Sequence, residues 1–202
     1  MKVLLQRVDQ ELKSLGYRRK GNNFWKIEND FYRVINFQRG LYGQYYFINI
    51  GIHPHGMPKL VSNELLILEQ PKEHECIIRQ RVEQVVKNIE MRVFEEGLVS
   101  IENERAADYF IESMPEIEEW ILKYGTYEGI IGKTEDDMYS LLNVSPIAKR
   151  KEFALLQVFC KIKLRDKDGA NEALVKYKAE KVNGLNFRKI DNYLVSLIDC
   201  IT

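Results

Sequence analysis

Residues 33–54 read RVINFQRGLYGQYYFINIGIHP, two runs of apolar and aromatic residues joined by "RGLYGQ". The glycines of that joint suit a hairpin loop, and the runs beside it have the composition of strands. Upstream, "NFWKIE" (23–28) and "FYRVINFQ" (31–38) are separated by Asn29-Asp30, which fits a two-residue hairpin turn. The three runs therefore predict an antiparallel meander. Asn36, Gln38 and Asn49 stand where a simple core strand would carry Val or Ile. Those amides either read a ligand or wire the sheet together.

Paired residues of antiparallel strands share a face. With the tight turn in place and Tyr46 set opposite Phe37, one face carries Phe24, Ile35, Phe37, Tyr46, Ile48 and Ile50, interrupted by Lys26 and Arg33. The other carries Trp25, Ile27, Tyr32, Val34, Asn36, Gln38, Tyr45, Phe47 and Asn49. A one-residue slip would exchange the two. The aliphatic face is the expected seat for a helix over residues 2–15, where Leu4, Leu5, Val8, Leu12 and Leu15 recur at steps of three and four before Gly16.

Beyond Pro54, "ECIIRQRV" (75–82) reads equally as a fourth strand or as the start of a helix, and "MRVF" (91–94) as a further strand. The chain then turns helical. Ser113 with Glu116 matches a capping box ahead of Ile117, Trp120, Ile121 and Tyr124. The carboxylates of "TEDD" (134–137) suit a helix N-terminus. Ser145-Pro146 opens a helix running to about Arg165, broken at Asp168-Gly169. One helix ends at Asn183-Gly184, and the last carries Phe187, Ile190, Leu194, Leu197 and Ile201. Strands first and helices after predict an α+β fold: an N-terminal helix on an antiparallel meander, then a largely helical half. The expected division is a sheet domain over residues 1–105 and a helical region over 106–202, packed as one unit because no Gly/Ser/Pro-rich linker separates them.

The chain has 202 residues, 45% hydrophobic and 30% charged, an ordinary globular composition. Lys plus Arg and Asp plus Glu are 30 each, so net charge gives no reason to expect nucleic acid. No apolar run approaches the ~20 residues that span a bilayer. Cys76, Cys160 and Cys200 are odd in number and widely spaced, unlike a disulfide framework. A cytoplasmic, reducing location is the expectation. Charge is uneven along the chain: nine acidic residues between Glu95 and Glu119 accompany only Arg105. That acidic stretch is expected to pair with basic residues within the fold or across a dimer.

The run "LKSLGYRRKGNNFWKIENDFYRVINFQRG", then "FINIGI", then "ECIIRQRV", resembles the opening of the bacterial domain of unknown function 4304 family. The resemblance rests on Leu15, Gly16, Tyr17, Gly21, Phe24, Val34, Ile35, Asn36, Phe37, Gln38, Asn49, Gly51, Cys76 and Arg81, and covers roughly residues 12–82. It implies a small cytoplasmic bacterial protein with no assigned catalytic residues, and so a fold expectation without chemistry.

An unpaired buried amide costs about 1–3 kcal/mol, so Asn36, Gln38 and Asn49 must find partners or face water. In the structural reading they bond the backbone of the "RRKGNN" turn or the C-terminal helices, as most side-chain hydrogen bonds go to backbone or water. In the functional reading they hold a peptide or small polar ligand on a surface flanked by Trp25, Tyr32 and Tyr45. Arg79 and Arg81 could fork a phosphate or carboxylate, although pairing with the acidic stretch is the blander account of the arginines. His53, His55, His74 and Cys76 supply four nitrogen or sulfur ligands, the number tetrahedral zinc needs, but the spacing of each pair is tighter than a usual zinc knuckle. G-x-S-x-G, G-x-x-x-x-G-K-[ST] and G-x-G-x-x-G are all absent. The expectation is a non-enzymatic binding module without cofactor, its partner another protein or a second copy of the chain. A metal-assisted hydrolase on the His/Cys pairs and a nucleic-acid surface on "YRRKGNNFW" are the alternatives.

Overall fold

The computed structural model describes residues 2–40, 45–86, 99–100 and 105–202. Helix α1 (Lys2–Ser14) buries Leu5, Val8 and Leu12. It stops at Gly16, whose φ of 85° lets the Gly16 amide return to the Lys13 carbonyl and the Tyr17 amide to Leu12. This double closure is the Schellman pattern, with Tyr17 packing back over Leu12. Leu15 falls outside the buried stripe and is exposed, because the chain is already leaving the helix there.

Strands β1 (Arg18–Lys20), β2 (Asn23–Glu28), β3 (Phe31–Arg39), β4 (Tyr45–Pro54) and, after an excursion, β7 (Ile78–Arg81) form an antiparallel sheet in that order. Strand β8 (Val99–Ser100) pairs with the first residues of β4. The turn between β2 and β3 has Asn29 at φ 52° and Asp30 at φ 64°, the conformation a two-residue I′ hairpin demands. One register differs from expectation: Arg39, not Phe37, stands opposite Tyr46, and Phe37 stands opposite Ile48. The offset is two residues, one full side-chain period, so both faces keep their predicted residues. The segment "ECIIRQRV" is a strand and then a single 3₁₀ turn at Val82–Gln84. "MRVF" lies outside the described residues.

The aliphatic face is the core face. Phe24, Ile35, Phe37, Ile48, Ile50 and Ile52 are all buried there. They pack under α1 and under α2 (Arg105–Glu112) and α3 (Met114–Tyr124), with Phe37 in edge contact with Phe110 at 5.2 Å. Lys26 and Arg33 interrupt this face, as their register requires; Arg33 is buried, with Nε and Nη2 unpartnered among the described residues. Arg33 pairs with Glu28 and lies 3.4 Å from Glu118, Lys26 lies 3.4 Å from both carboxylates, and the Tyr17 hydroxyl donates to Glu118 at 2.8 Å. Two cations against two carboxylates make such burial tolerable.

Between β4 and β7 the chain makes an excursion that includes the two-residue strands β5 (Pro58–Lys59) and β6 (Leu66–Ile67) and a 3₁₀ turn at Glu73–Glu75. This excursion folds back over the second face. Gly51 is the contact point: a Cβ there would meet the Cys76 sulfur at 2.8 Å and the Glu73 carbonyl at 3.2 Å. Val34, Asn49, His53 and Tyr32 are buried on this side. His53 Nε2 sits 3.3 Å from the Met57 carbonyl, and burial lowers its pKa to about 4.

Among the described residues the remaining α-helices are α4 (Tyr127–Ile131), α5 (Glu135–Tyr139), α6 (Lys149–Lys163), α7 (Lys167–Ala179) and α8 (Arg188–Asp199). Thr134 and Asp137 form the capping box of α5, the role expected of "TEDD". The break after α6 comes earlier than expected: Arg165 takes φ 58°, and Asp166 caps α7 by accepting from the Gly169 amide, so Asp168-Gly169 open a helix instead of ending one. Helix α7 in turn stops at Ala179, short of Asn183-Gly184. Glu152 on α6 is buried with Oε2 unpartnered among the described residues; burial raises its pKa to about 7 against the pull of Lys59. One hydrophobic cluster joins Leu5 of α1, the core face of the sheet and Ile201. The hairpin tip is tied to the helices as well: Tyr127 and Lys163 each donate to Asp30 Oδ2 at 2.7 Å. Burial pushes the Asp30 carboxyl up, but these bonds outweigh it and hold its pKa below the ordinary value. Among the described residues no helix is long and apolar enough to cross a membrane.

Candidate functional site: a polar cleft at the open end of the sheet

The excursion covers only part of the second face. Its cover ends near Glu73, and beyond it the β2–β3 end of the sheet faces solvent. There a cleft of about 810 Å³ opens between the strand ends and the 72–74 turn. Its floor is an amide ladder. Asn23 and Asn36 are directly opposite in the β2/β3 register, and Asn36 Nδ2 donates to Asn23 Oδ1 at 2.9 Å. One step along, Asn49 Nδ2 donates to Gln38 Oε1 at 3.0 Å. The amides thus bond one another across strands, not the "RRKGNN" backbone or the C-terminal helices. Wiring and exposure coexist: Asn49 is buried, Asn36 is half-buried and Gln38 is exposed.

The walls are basic. Lys20, Arg39 and Lys72 are exposed, and Arg79 is half-buried. Arg79 stands opposite Gly51 on the neighbouring strand, which places it on the amide side of the sheet. Its Nε bonds Glu73, itself only 3% exposed. Burial raises the Glu73 pKa, and the Arg79 bond pulls against that shift. Among the described residues lining the cleft there is no Ser, Thr or Cys to act as a nucleophile. The arrangement can hold a polar group by hydrogen bonds and charge.

The cleft brings together Asn36, Gln38 and Arg79 of the expected set. Asn49 lies beneath it as a buried strut. Trp25 is half-buried under the Arg18 guanidinium, 5.9 Å from the ring centroid, and does not line the cleft. Tyr32 is buried against His55. Arg81 lies 4.4 Å over the Phe47 ring, outside the cleft wall. The side chain of Tyr45 lies outside the described residues. The acidic stretch supplies Glu118 for Arg33 and Asp108 for Arg7, whereas Arg79 takes Glu73 from its own side of the chain.

The metal alternative is not supported by placement. His53 is buried on the Met57 carbonyl, His55 is exposed beside Asp30, and Cys76 is packed under Gly51 with its thiol donating to the Lys72 carbonyl at 3.5 Å. His74 faces solvent on the cleft rim. Among the described residues no group of three or more His, Cys, Asp and Glu side chains is placed to hold a metal.

Asn23, Lys20, Arg39, Lys72 and Glu73 are cleft residues that the strand-face reading passed over. Asn23 was within reach, since the Asn29-Asp30 turn alone sets it opposite Asn36. Lys72 and Glu73 arrive by the excursion, which carries no periodic signal.

Compared with known families, residues 8–124 match the model of the family described as Domain of unknown function (DUF4304), more of the chain than the motifs over 12–82 cover. This chain belongs to that family. Every cleft residue lies within the matched region. No curated protein and no solved structure matches.

Proposed function

We propose that this DUF4304 protein is a non-enzymatic binding module that holds a polar segment of a protein partner in the cleft over the Asn23–Asn36 and Gln38–Asn49 pairs. The observation that carries this is an amide floor whose bonding groups are only half used. Each amide pair spends one donor and one acceptor on itself; among the described residues the Asn23 and Gln38 NH₂ groups and the Asn36 oxygen are left for a ligand, while Asn49 Oδ1 is buried without a partner. A purely structural ladder would be sealed, because buried amides are costly when unpaired; here the excursion stops short of it. The volume is in the range of small-ligand and peptide sites, about 300–1,000 Å³. The lack of a nucleophile among the described lining residues favours holding over turnover.

Affinity capture from native lysate, with the captured proteins identified by mass spectrometry, tests the reading. Asn36→Ala/Gln38→Ala should lose the partners that the wild type retains, while keeping its circular dichroism spectrum. An unchanged partner set for the folded variant refutes it.

A further inference from the structure

Resting on that reading, we propose that the cleft is an oxyanion site: the Arg79 guanidinium, held by buried Glu73, receives a carboxylate or phosphate group of the ligand, and Lys20, Lys72 and the amides of Asn23 and Gln38 seat the groups beside it. The charge of the lining points this way. Lys20, Arg39, Lys72 and Arg79 face one carboxylate among the described lining residues, and that carboxylate, Glu73, is buried and already bonded to Arg79 Nε. Lys20, Arg39 and Lys72 enter no ion pair among the described residues. Cations left unpaired around a concave polar wall concentrate anions, the more so because the wall limits screening by water.

The geometry of Arg79 adds specificity. Glu73 engages Nε, and no hydrogen bond among the described residues engages the two terminal nitrogens. A guanidinium anchored on one edge keeps a free fork that matches the paired oxygens of a carboxylate or phosphate. The anchoring orders the side chain before a ligand arrives, which removes part of the entropy cost of binding. The free NH₂ groups of Asn23 and Gln38 extend the donor surface, and the Asn36 oxygen gives an acceptor for a ligand N–H next to the acid group. Glu73 is a positioning residue here and Arg79 the ligand contact.

The test is a ¹H–¹⁵N titration of the full chain, following the Arg79 Nε–H and the side-chain amides of Asn23 and Gln38. The probes are sodium phosphate, sodium acetate, acetamide, and sodium chloride at matched ionic strength. Phosphate or acetate should give saturable shifts confined to the cleft, and the stronger of the two identifies the acid group. Arg79→Lys keeps the charge but not the fork and should weaken that binding about tenfold. Equal shifts with chloride, saturation elsewhere on the protein, or unchanged affinity in Arg79→Lys overturns the proposal. Acetamide saturating the same amides without any preference for an acid overturns the oxyanion assignment and leaves the binding module standing; an unchanged partner set in the capture experiment removes the module itself. Should Arg79→Lys fail to fold, Lys20→Gln/Lys72→Gln alters only exposed side chains. A loss of about threefold in phosphate or acetate affinity supports the proposal, and none overturns it.

Discussion

Replacing Glu152 by Gln should make the protein more stable at pH 8 and change the shape of its stability profile in acid. Glu152 is buried on α6, and its pKa rises from the ordinary 4.5 to about 7. A carboxyl that is harder to ionise when folded supports the fold fully below pH 4.5 and loses that contribution as pH climbs towards 7. Each decade between the two values is worth about 1.4 kcal/mol, so the ionised carboxylate costs the folded state about 3 kcal/mol above neutrality. His53 works in the opposite direction. Its pKa falls from 6.5 to about 4, so the fold is fully supported above pH 6.5 and loses that support as pH drops towards 4. Between pH 4.5 and 6.5 the two slopes oppose each other, and their sum is nearly level. Glu152→Gln removes one slope. The variant should gain about 3 kcal/mol between pH 4.5 and 6.5 relative to wild type, and retain that margin at pH 8. Near pH 4 the two proteins should agree to about 1 kcal/mol, since a neutral carboxyl and an amide are close in size and polarity. Urea denaturation followed by circular dichroism at pH 4, 5.5, 6.5 and 8 measures this, and the difference between the proteins cancels the other titrating groups. A variant no more stable than wild type at pH 8 would refute the argument: the Glu152 carboxylate would then have a partner or water that relieves its burial.

Gly51→Ala should destabilise the fold by about 1–3 kcal/mol, because its Cβ would press into the Cys76 sulfur at 2.8 Å; a denaturant midpoint equal to wild type would show that the 73–76 segment can retreat freely. Arg33→Met leaves Lys26 to face Glu28 and Glu118 but also removes two buried guanidinium nitrogens that lack partners among the described residues, and both carboxylates still reach solvent, so it should cost no more than about 1 kcal/mol; a larger loss in urea unfolding would show that the cluster behaves as a fully buried ion pair. Tyr127→Phe removes the hydroxyl bonded to Asp30 and should lower stability by about 2 kcal/mol at pH 7, measured by thermal unfolding, with the loss shrinking once Asp30 is protonated in acid.

The face assignment was legible because it depends on parity. Asn29-Asp30 fixed β2 against β3 without error. The longer "RGLYGQ" joint left the β3/β4 register two residues out, yet Asn36, Gln38 and Asn49 stayed on one side. The amide ladder could therefore be recognised before any contact was known. What covers that ladder could not. The excursion after Pro54 has no hydrophobic period, and its position over Gly51 depends on the absence of one side chain. Helices α4 and α5 are five residues each, too short to show a stripe. The end of α6 was misplaced because Asp166 caps through its side chain, and Asp168-Gly169 then mimic a break while standing in the first turn of the next helix. Trp25 and Tyr32 read as ligand-facing aromatics because alternation reports a face of the sheet and is silent on which stretch of that face other segments cover.

The clasp on Asp30 bears on where a fragment of this protein could be cut. The family match ends at Tyr124, three positions before Tyr127, and Lys163 lies further on. A chain ended at the match would strand the hairpin's carboxylate without its two donors and uncover Phe31, whose ring packs at a tilt against Tyr127 with centroids 4.6 Å apart. Expression work on this protein should carry the chain through α6 at least.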